Sequence, residues 1–576
     1  MVLAYVGLVG RLFYIQVIKA PYYIGKEREL TVRRIVLPAR RGTVYDRNGE
    51  KLAVTIDSCD ISAQPALIDD KDDAASRIAE IMKCPKSKIL DELSTDKKFV
   101  YLARGADISI GEAIKKARIQ GVGFDRTTKR MYPNGTMACH VVGFTNVDGK
   151  GIEGIERSYD RELRGIDGFV IAEVDAKGRI IPGTKKRRIE PVDGEDLVLT
   201  IDATLQHSLE QQLAESCTKY QAAGASAVMI DPKTGEVLAL ANMPNYDPNR
   251  SSKSSAASRR NRAVTDLYEP GSTLKTITAC AALEDKAITT TDTWYCHGST
   301  TISGHVVRCS LHPPFMNGHG TVNVAKILKY SCNIGAAGMG FRLGKERLYR
   351  AEEAFGLYEK PGSGLPGEVA GWPDNWRTWS QVRLANIAFG QGIAVTPMQM
   401  ARAYCAVANG GLMLRPYIIK EIHKPDGSID QAFGPTIVRR VISTETASIV
   451  TRDLEGVVTE GTGKNADVPG YRVCGKTGSA QKAGPGGHGY GGGRVVASFA
   501  GFLPMSDPRI VLLVAVDEPK GSHFGATVAA PVFQGAAQNA MWRLKVPPDS
   551  PTTTPHPAKP KPAGHPKPKH DKQHNA

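Results

Sequence analysis

No P-loop, no aromatic-basic RNA motif and no paired Cys/His spacing of a zinc module occurs in this chain of 576 residues, so its net charge of +15 has no nucleic-acid reading. Much of the excess is local, in Lys185-Lys186-Arg187-Arg188, in Arg259-Arg260 with Arg262 and in the lysines of the tail, and reads as a solvated or membrane-facing surface. A long apolar run is missing as well. Residues 1–18 are apolar apart from Arg11 and Gln16, but a spanning helix needs about 20 apolar residues, and Arg11 interrupts the run. The segment has no positive stretch ahead of it and no small-residue cleavage site, which argues against a cleaved signal peptide. It reads as the outer half of a signal anchor, with a longer helix expected in the native gene product. The ten cysteines are scattered, and only Cys296 and Cys309 flank a hairpin-like stretch, residues 301–307, where a disulfide could form in an oxidising compartment. The other eight read as buried free thiols. His312 and His319 lack a second ligand pair, so structural or surface roles are expected of them, and neither a metal nor a cofactor is predicted.

The chain does contain an ordered triplet: Ser272-Thr273-Leu274-Lys275, Ser331-Cys332-Asn333 and Lys476-Thr477-Gly478. Together these strings supply a hydroxyl nucleophile with an amine base, a second hydroxyl with an amide, and a cation beside a hydroxyl, the groups a serine acyl-transferase needs. Each alone is weak. The pattern S-x-x-K recurs at Ser94, Ser216 and Ser479, and a second K-T-G begins at Lys233. S-x-N occurs only at Ser331, so the K-T-G beyond it is the one at Lys476, and Ser94, Ser216 and Ser272 remain as upstream nucleophiles.

Local chemistry separates them. Ser272 follows Glu269-Pro270-Gly271 and opens an apolar run, which predicts a helix starting at the serine. Residues three apart share a helix face, so Lys275 reaches the hydroxyl, and the helix N-terminus aims N–H groups at a developing oxyanion. Ser94 lies in a polar turn and Ser216 near the end of a helical stretch, residues 205–220, and both read as solvated surface serines. Asp231-Pro232-Lys233-Thr234-Gly235 joins two strand-like runs and reads as a hairpin turn. The second K-T-G lies in a strand interrupted by glycines, which suit the close approach of another backbone, as of a peptide laid along a sheet edge.

The organisation predicted is α+β and multidomain: 1–18 a partial transmembrane signal anchor, 19–190 an elongated pedestal, 191–546 the catalytic domain and 547–576 a disordered Pro/Lys/His tail. The catalytic domain is expected to open with the strand at 196–202 and to build one sheet from distant segments, covered by helices.

These motifs resemble those of the penicillin-binding proteins and serine β-lactamases. Cys332 stands where the β-lactamases commonly have aspartate, which tilts the resemblance away from them. Arg41-Gly42-Thr43-Val44-Tyr45-Asp46-Arg47-Asn48-Gly49, Arg130-Met131-Tyr132-Pro133 with His140-Val141-Val142-Gly143, and Gly151-Ile152-Glu153-Gly154-Ile155-Glu156 are similar to the three boxes of the non-catalytic (dimerisation or pedestal) module of class B penicillin-binding proteins. Asn146-Val147-Asp148-Gly149-Lys150-Gly151 most resembles the cell-division, FtsI-type members. Asn261-Arg262-Ala263, Gly390-Gln391-Gly392-Ile393 with Thr396-Pro397, and Phe524-Gly525 with Pro531-Val532-Phe533 extend the likeness over nearly the whole chain.

The resemblance implies a peptidoglycan D,D-transpeptidase with a β-lactamase-like domain around a central antiparallel sheet, covalently inhibited by penicillin and other β-lactams. Ser272 would attack the stem-peptide carbonyl with Lys275 as base, Ser331 would relay a proton and Asn333 would hold the substrate amide. Lys476 and Thr477, followed by Gly478, would engage the terminal carboxylate, and the backbone N–H groups of Ser272 and Ser479 would form the oxyanion hole. It also implies a single-pass place in the cytoplasmic (inner) membrane with the catalytic domain on the periplasmic or extracellular side, and an FtsW-type glycosyltransferase and other division proteins as partners. The alternatives are an elongation-type transpeptidase, a D,D-carboxypeptidase, a β-lactamase, for which no E-x-x-L-N string supplies the class A glutamate, and a scaffold that activates a glycosyltransferase.

Overall fold

The computed structural model describes residues 2–175, 180–185, 187–311, 315–372, 375–483 and 490–550. The tail from 551 onward and Lys186 of the basic run lie outside the described residues. The architecture is α+β. Its centre is a five-stranded antiparallel sheet ordered Val237–Met243, Gly224–Ile230, Ile510–Asp517, Tyr490–Leu503, Cys474–Ala483. Side chains alternate between faces along a strand, and here both faces are buried. Leu512, Val514 and Val516 pack with the helices Ala203–Lys219 and Ala530–Arg543, while Val511, Leu513 and Ala515 face the larger core that contains the helices Lys275–Glu284 and Pro397–Ala408. That sandwich leaves the strand Cys474–Ala483 at one sheet edge, against the turn that carries Ser272.

The strand at Asp196–Leu199 does not enter this sheet, contrary to the sequence expectation. It pairs in parallel with Val44–Tyr45 on one side and antiparallel with Ile419–His423 on the other, inside a seven-stranded sheet that also holds Lys51–Ala63, Val100–Ala106 and Val122–Met131. The reason is local: the Asp196 carboxylate accepts the Thr43 N–H at 2.5 Å, and Gly194 N–H donates to the Arg40 carbonyl, so the strand is captured by the first conserved-looking box. A four-residue strand therefore stitches the N-terminal region to the catalytic half.

The three N-terminal boxes meet at one carboxylate. Glu156, with no solvent exposure, accepts from Arg41 Nε at 2.6 Å and from Arg130 Nε at 2.6 Å, and Tyr132 Oη donates to it at 3.4 Å. Arg41 also reaches Asp160 at 2.7 Å. From the second box Asn249 takes the Tyr132 backbone at both its N–H and its carbonyl, and Asn261 Nδ2 donates to the His140 carbonyl at 3.3 Å, which ties the network to the segment leading into the nucleophile. A separate small core of Ile61, Ile78, Ile89, Leu93, Leu102 and Ile114 organises the outer lobe around the helices Lys71–Met82, Lys86–Leu93 and Ile108–Ala117.

At the N-terminus, Val2–Phe13 and Ala20–Thr31 are helical. Among the described residues no single helix is long and apolar enough to cross a membrane, but the pair Leu3–Ile18 and Ala20–Lys26, bent by 58°, passes that test together.

Replacing one partner of a buried charge network strands the others, at a cost of about 3–5 kcal/mol. Glu156→Ala is therefore expected to lower unfolding stability by that amount in chemical denaturation, with Arg130 left buried and unneutralised and Arg41 left with Asp160 alone. A loss under about 1 kcal/mol would mean that the network adds no more than a surface ion pair.

Candidate active site

The nucleophile turn is built from the outside in. Gly271 N–H donates to the Gly390 carbonyl at 2.9 Å, and Gly390 has φ of +90°; a side chain there would put its Cβ 1.9 Å from the Gly271 carbonyl oxygen. Tyr404, fully buried, donates from Oη to the Thr273 carbonyl at 2.9 Å, and Thr273 Oγ1 donates to the Pro270 carbonyl at 2.7 Å. Ser272 is half-buried in a 3₁₀ turn, Gly271–Leu274, and the α-helix proper begins at Lys275. The helix expected to start at the serine therefore starts three residues later, because the tight turn has to meet Gly390 before the α-helical rise begins. The i, i+3 relation survives in the 3₁₀ turn, where such residues eclipse.

Lys275 has no solvent exposure. Its Nζ lies 3.0 Å from Ser272 Oγ, 3.2 Å from Ser331 Oγ, 2.6 Å from the Ser331 carbonyl oxygen and 2.6 Å from Asn333 Oδ1. Burial pushes its pKa down to about 8, against an opposing pull from Cys309 and Cys332. A neutral amine has two N–H bonds and one lone pair. The carbonyl and Asn333 Oδ1 can only accept, so they take both N–H groups and turn the lone pair toward the two hydroxyls. That is the state a general base requires.

Ser331 is held at φ +57°, in the left-handed region, and Cys332 caps the following helix Asn333–Leu343 by accepting Gly335 N–H at 3.3 Å. Asn333 Nδ2 donates to the Arg308 carbonyl at 2.8 Å, which orients the amide with its oxygen toward Lys275. Across the cleft, Lys476 is also fully buried, with Nζ 3.1 Å from the Thr477 carbonyl oxygen; burial first, and Lys275 second, hold its pKa well below the ordinary lysine value. Gly478 faces the nucleophile turn, where a Cβ would stand 2.3 Å from Ser498 Oγ and 3.1 Å from the Pro270 carbonyl oxygen. Ser479 Oγ accepts Gly525 N–H at 3.0 Å, so its side chain holds the strand to the next segment.

Ser272, Lys275, Ser331, Asn333, Lys476, Thr477, Gly478 and Ser479 are thus brought to one place. Among the described residues, the hydrogen-bond partners of the Ser272, Lys275, Ser331 and Asn333 side chains include no carboxylate. The competing motifs fall elsewhere. Ser94 is an exposed helix C-cap, whereas Ser216 is buried and donates to the Val528 carbonyl at 3.1 Å, so it is not the surface serine expected. Its helix turns that side toward the helix Gly525–Val528, which a reading of local polarity missed. Lys233 sits in the Asp231–Gly235 hairpin turn and pairs with Asp507. Two contributors carried no motif of their own: Thr462, whose hydroxyl lies 2.9 Å from Thr477 Oγ1, and Tyr404.

The hairpin between Cys296 and Cys309 forms, from Ser299–Ile302 and His305–Arg308, but the disulfide does not: the two sulfurs stand 3.7 Å apart as free thiols. His312 lies outside the described residues. His319 is not a surface group; it is 8% exposed and lies beside those thiols.

The description "penicillin binding protein transpeptidase domain" matches residues 225–538, and "penicillin-binding protein dimerisation domain" matches residues 36–199. Stage V sporulation protein D of Bacillus subtilis is 35% identical over 545 residues, spanning 93% of this chain and 83% of that protein. The probable peptidoglycan D,D-transpeptidase PenA of Neisseria meningitidis is 33% identical over 564 residues, spanning 95% and 92%. Penicillin binding protein 3 of Mycobacterium tuberculosis, solved in complex with aztreonam, aligns with a TM-score of 0.69 at 31% identity, over 90% of this chain and 99% of that one.

Proposed function

The chain belongs to the class B penicillin-binding proteins, and from that membership we propose that it cross-links peptidoglycan stem peptides at Ser272 as part of cell division. It is a peptidoglycan D,D-transpeptidase that binds β-lactams. The observation that carries the assignment of roles is the Lys275 amine, dry and shared by Ser272, Ser331 and Asn333.

In the acylation half, the Ser272 hydroxyl gives its proton to Lys275 Nζ as Oγ attacks the carbonyl carbon between the two terminal D-alanines. The backbone N–H groups of Ser272 and Ser479 take the oxyanion. The C–N bond then breaks, and the proton passes from Lys275 through Ser331 Oγ to the departing amine, so D-alanine leaves and an ester remains on Ser272. The stem peptide lies along the edge strand Cys474–Ala483, with one Nδ2 hydrogen of Asn333 left for its amide after the bond to Arg308. Its carboxylate meets Thr477 beside the Lys476 amine, whose charged form the carboxylate favours. The amine of a second stem peptide attacks the ester and regenerates Ser272. Among the described residues no carboxylate is hydrogen-bonded to the side chains of Ser272, Lys275, Ser331 or Asn333, which supports transfer to an amine over rapid hydrolysis. The division role rests on the Asn146–Gly151 likeness to FtsI-type members, and the same likeness supports an FtsW-type partner and an N-terminal membrane anchor.

Ser272→Ala is expected to abolish labelling by a fluorescent penicillin, while Ser94→Ala and Ser216→Ala label normally. Intact-protein mass spectrometry of the wild type should show the whole drug added to Ser272 and held for many minutes. An adduct gone within seconds, with hydrolysed drug in large excess, would favour a β-lactamase.

Neutral Lys275 is the reactive form, and its lowered pKa moves the rise of the acylation rate to lower pH. The rate should climb with pH and reach half its maximum near about 8, rather than near the ordinary lysine value of 10.5. Lys275→Ala should slow acylation at least about a hundredfold, and Lys275→Arg should not rescue it, because a guanidinium stays protonated. Near-normal rates in both variants would move the base elsewhere.

A fluorescent fusion of the native gene product should sediment with membranes and gather at mid-cell. Uniform sidewall fluorescence would shift the reading to elongation, and recovery in a soluble fraction would remove the anchor.

A further inference from the structure

Between the nucleophile and the S-x-N turn, four separate pieces of chain deliver ligand-type atoms to one point. Cys296 ends the strand Trp294–Cys296, His319 precedes its partner strand Gly320–Val322, Cys309 follows the hairpin, and Cys332 is the middle residue of Ser331-Cys332-Asn333. Three of the four are buried and Cys309 is half-buried. All four atoms lie within 4.8 Å of one another.

Three of the six ligand-to-ligand distances match the edges of a coordination shell, and all lie within 4.8 Å. Tetrahedral zinc with Zn–S near 2.3 Å and Zn–N near 2.05 Å requires edges of about 3.8 Å between sulfurs and about 3.5 Å from sulfur to nitrogen. Cys296 Sγ to Cys309 Sγ is 3.7 Å, Cys309 Sγ to Cys332 Sγ is 3.7 Å, and Cys296 Sγ to His319 Nδ1 is 3.5 Å. A disulfide would bring one pair to about 2.05 Å and leave the third sulfur and the imidazole without a shared role. Two of the sulfurs accept backbone N–H groups, Cys309 from Asn333 at 3.2 Å and Cys332 from Gly335 at 3.3 Å, an arrangement suited to thiolate charge.

We propose that Cys296, Cys309 and Cys332 through Sγ and His319 through Nδ1 bind one structural Zn²⁺, which fixes the position of the Ser331–Asn333 turn in the active site. Thiolate and imidazole ligands in a closed tetrahedral set favour Zn²⁺ over hard cations, and four protein ligands leave no position for a substrate. The metal therefore positions rather than reacts. Its second effect rests on the transpeptidase reading: the same turn supplies the Ser331 carbonyl and Asn333 Oδ1 that hold Lys275. In the extracytoplasmic compartment proposed above, coordination also keeps three adjacent thiols from oxidising to disulfides.

The test begins with metal content of the purified full chain. One zinc per chain is expected, released stoichiometrically by a thiol-directed mercurial, and Co²⁺ exchanged into the site should give thiolate-to-cobalt charge-transfer absorption with the intense visible bands of tetrahedral geometry. Cys280→Ser, which removes a buried thiol elsewhere, should keep one zinc, whereas Cys309→Ser and His319→Ala should lose it. These wild-type readings do not depend on whether the ligand variants fold. Absence of zinc and of a thiolate–cobalt spectrum, or a disulfide among Cys296, Cys309 and Cys332 in the protein as isolated, would overturn the site. Removing the metal should slow penicillin acylation roughly a hundredfold, the scale of an ångström's misplacement of catalytic groups, with recovery on adding Zn²⁺. Full zinc with unchanged acylation after its removal would overturn the positioning role, and a metal-loaded protein that never acylates would refute the transpeptidase reading instead.

Discussion

An amine with no access to water is the constraint on which the active site depends. Lys275 is carried by the first turn of a helix whose residues from Lys275 to Ala282 are all buried, so its charge has to be either lost or matched. Neither Ser272, Ser331 nor Asn333 brings a negative charge, and the partners that hold Nζ are two acceptors and two hydroxyls. Losing the proton then costs less than it would for an exposed lysine, and a pKa of about 8 follows from desolvation. Basicity at working pH thus comes from packing. It does not depend on a carboxylate bonded to Nζ.

That packing is set by distant parts of the chain. The nucleophile turn leans on Gly390 and Tyr404, the edge strand approaches it through Gly478, and the strand's Ser479 is held by Gly525. The first three contacts join segments more than a hundred residues apart and the last spans 46, so tertiary packing is what brings them into register. The N-terminal boxes act one step further out. Glu156 gathers Arg41, Arg130 and Tyr132, and Asn261 joins that cluster to the segment running into Ser272. A buried carboxylate between two buried guanidiniums adds little net stability over an apolar core; it joins the three N-terminal boxes to one another, while Asn249 and Asn261 carry the link to the catalytic half.

Where the sequence was legible, short spacing and local pattern carried the information. The i, i+3 relation of Ser272 and Lys275, the hairpin turn at Lys233 and the strand at Lys476 all follow from chemistry within a few residues. The errors came where tertiary contact decides. Ser216 looks polar and terminal in its helix, yet the helix turns that side toward the Val528 carbonyl. The strand Asp196–Leu199 has the right pattern for the central sheet, but the Asp196 carboxylate commits it to the other one. The sulfurs and His319 were passed over because zinc modules are recognised by paired, closely spaced ligands; here each ligand stands alone on its own element and only folding gathers them.

Position 332 belongs at once to a helix cap, to the active-site turn and to the sulfur cluster. A helix N-cap is best served by Asp, Asn, Ser or Thr, whose oxygen accepts strongly from the first-turn N–H groups. Cys332 fills the cap with a weaker acceptor, at 3.3 Å, in a turn that already holds Ser331 at φ +57°. A left-handed non-glycine residue costs on the order of 1–3 kcal/mol and persists only when its surroundings over-determine it. One fixing contact comes from Lys275 through the Ser331 carbonyl, on the substrate side. On the other side the Ser331 and Cys332 N–H groups donate to the Leu328 and Ile327 carbonyls at 3.3 and 3.0 Å and close the preceding helix, so the turn does not depend on Cys332 Sγ, which instead faces Cys309, Cys296 and His319. A residue that weakens the helix start is explained if its sulfur is bonded to something stronger than a backbone amide.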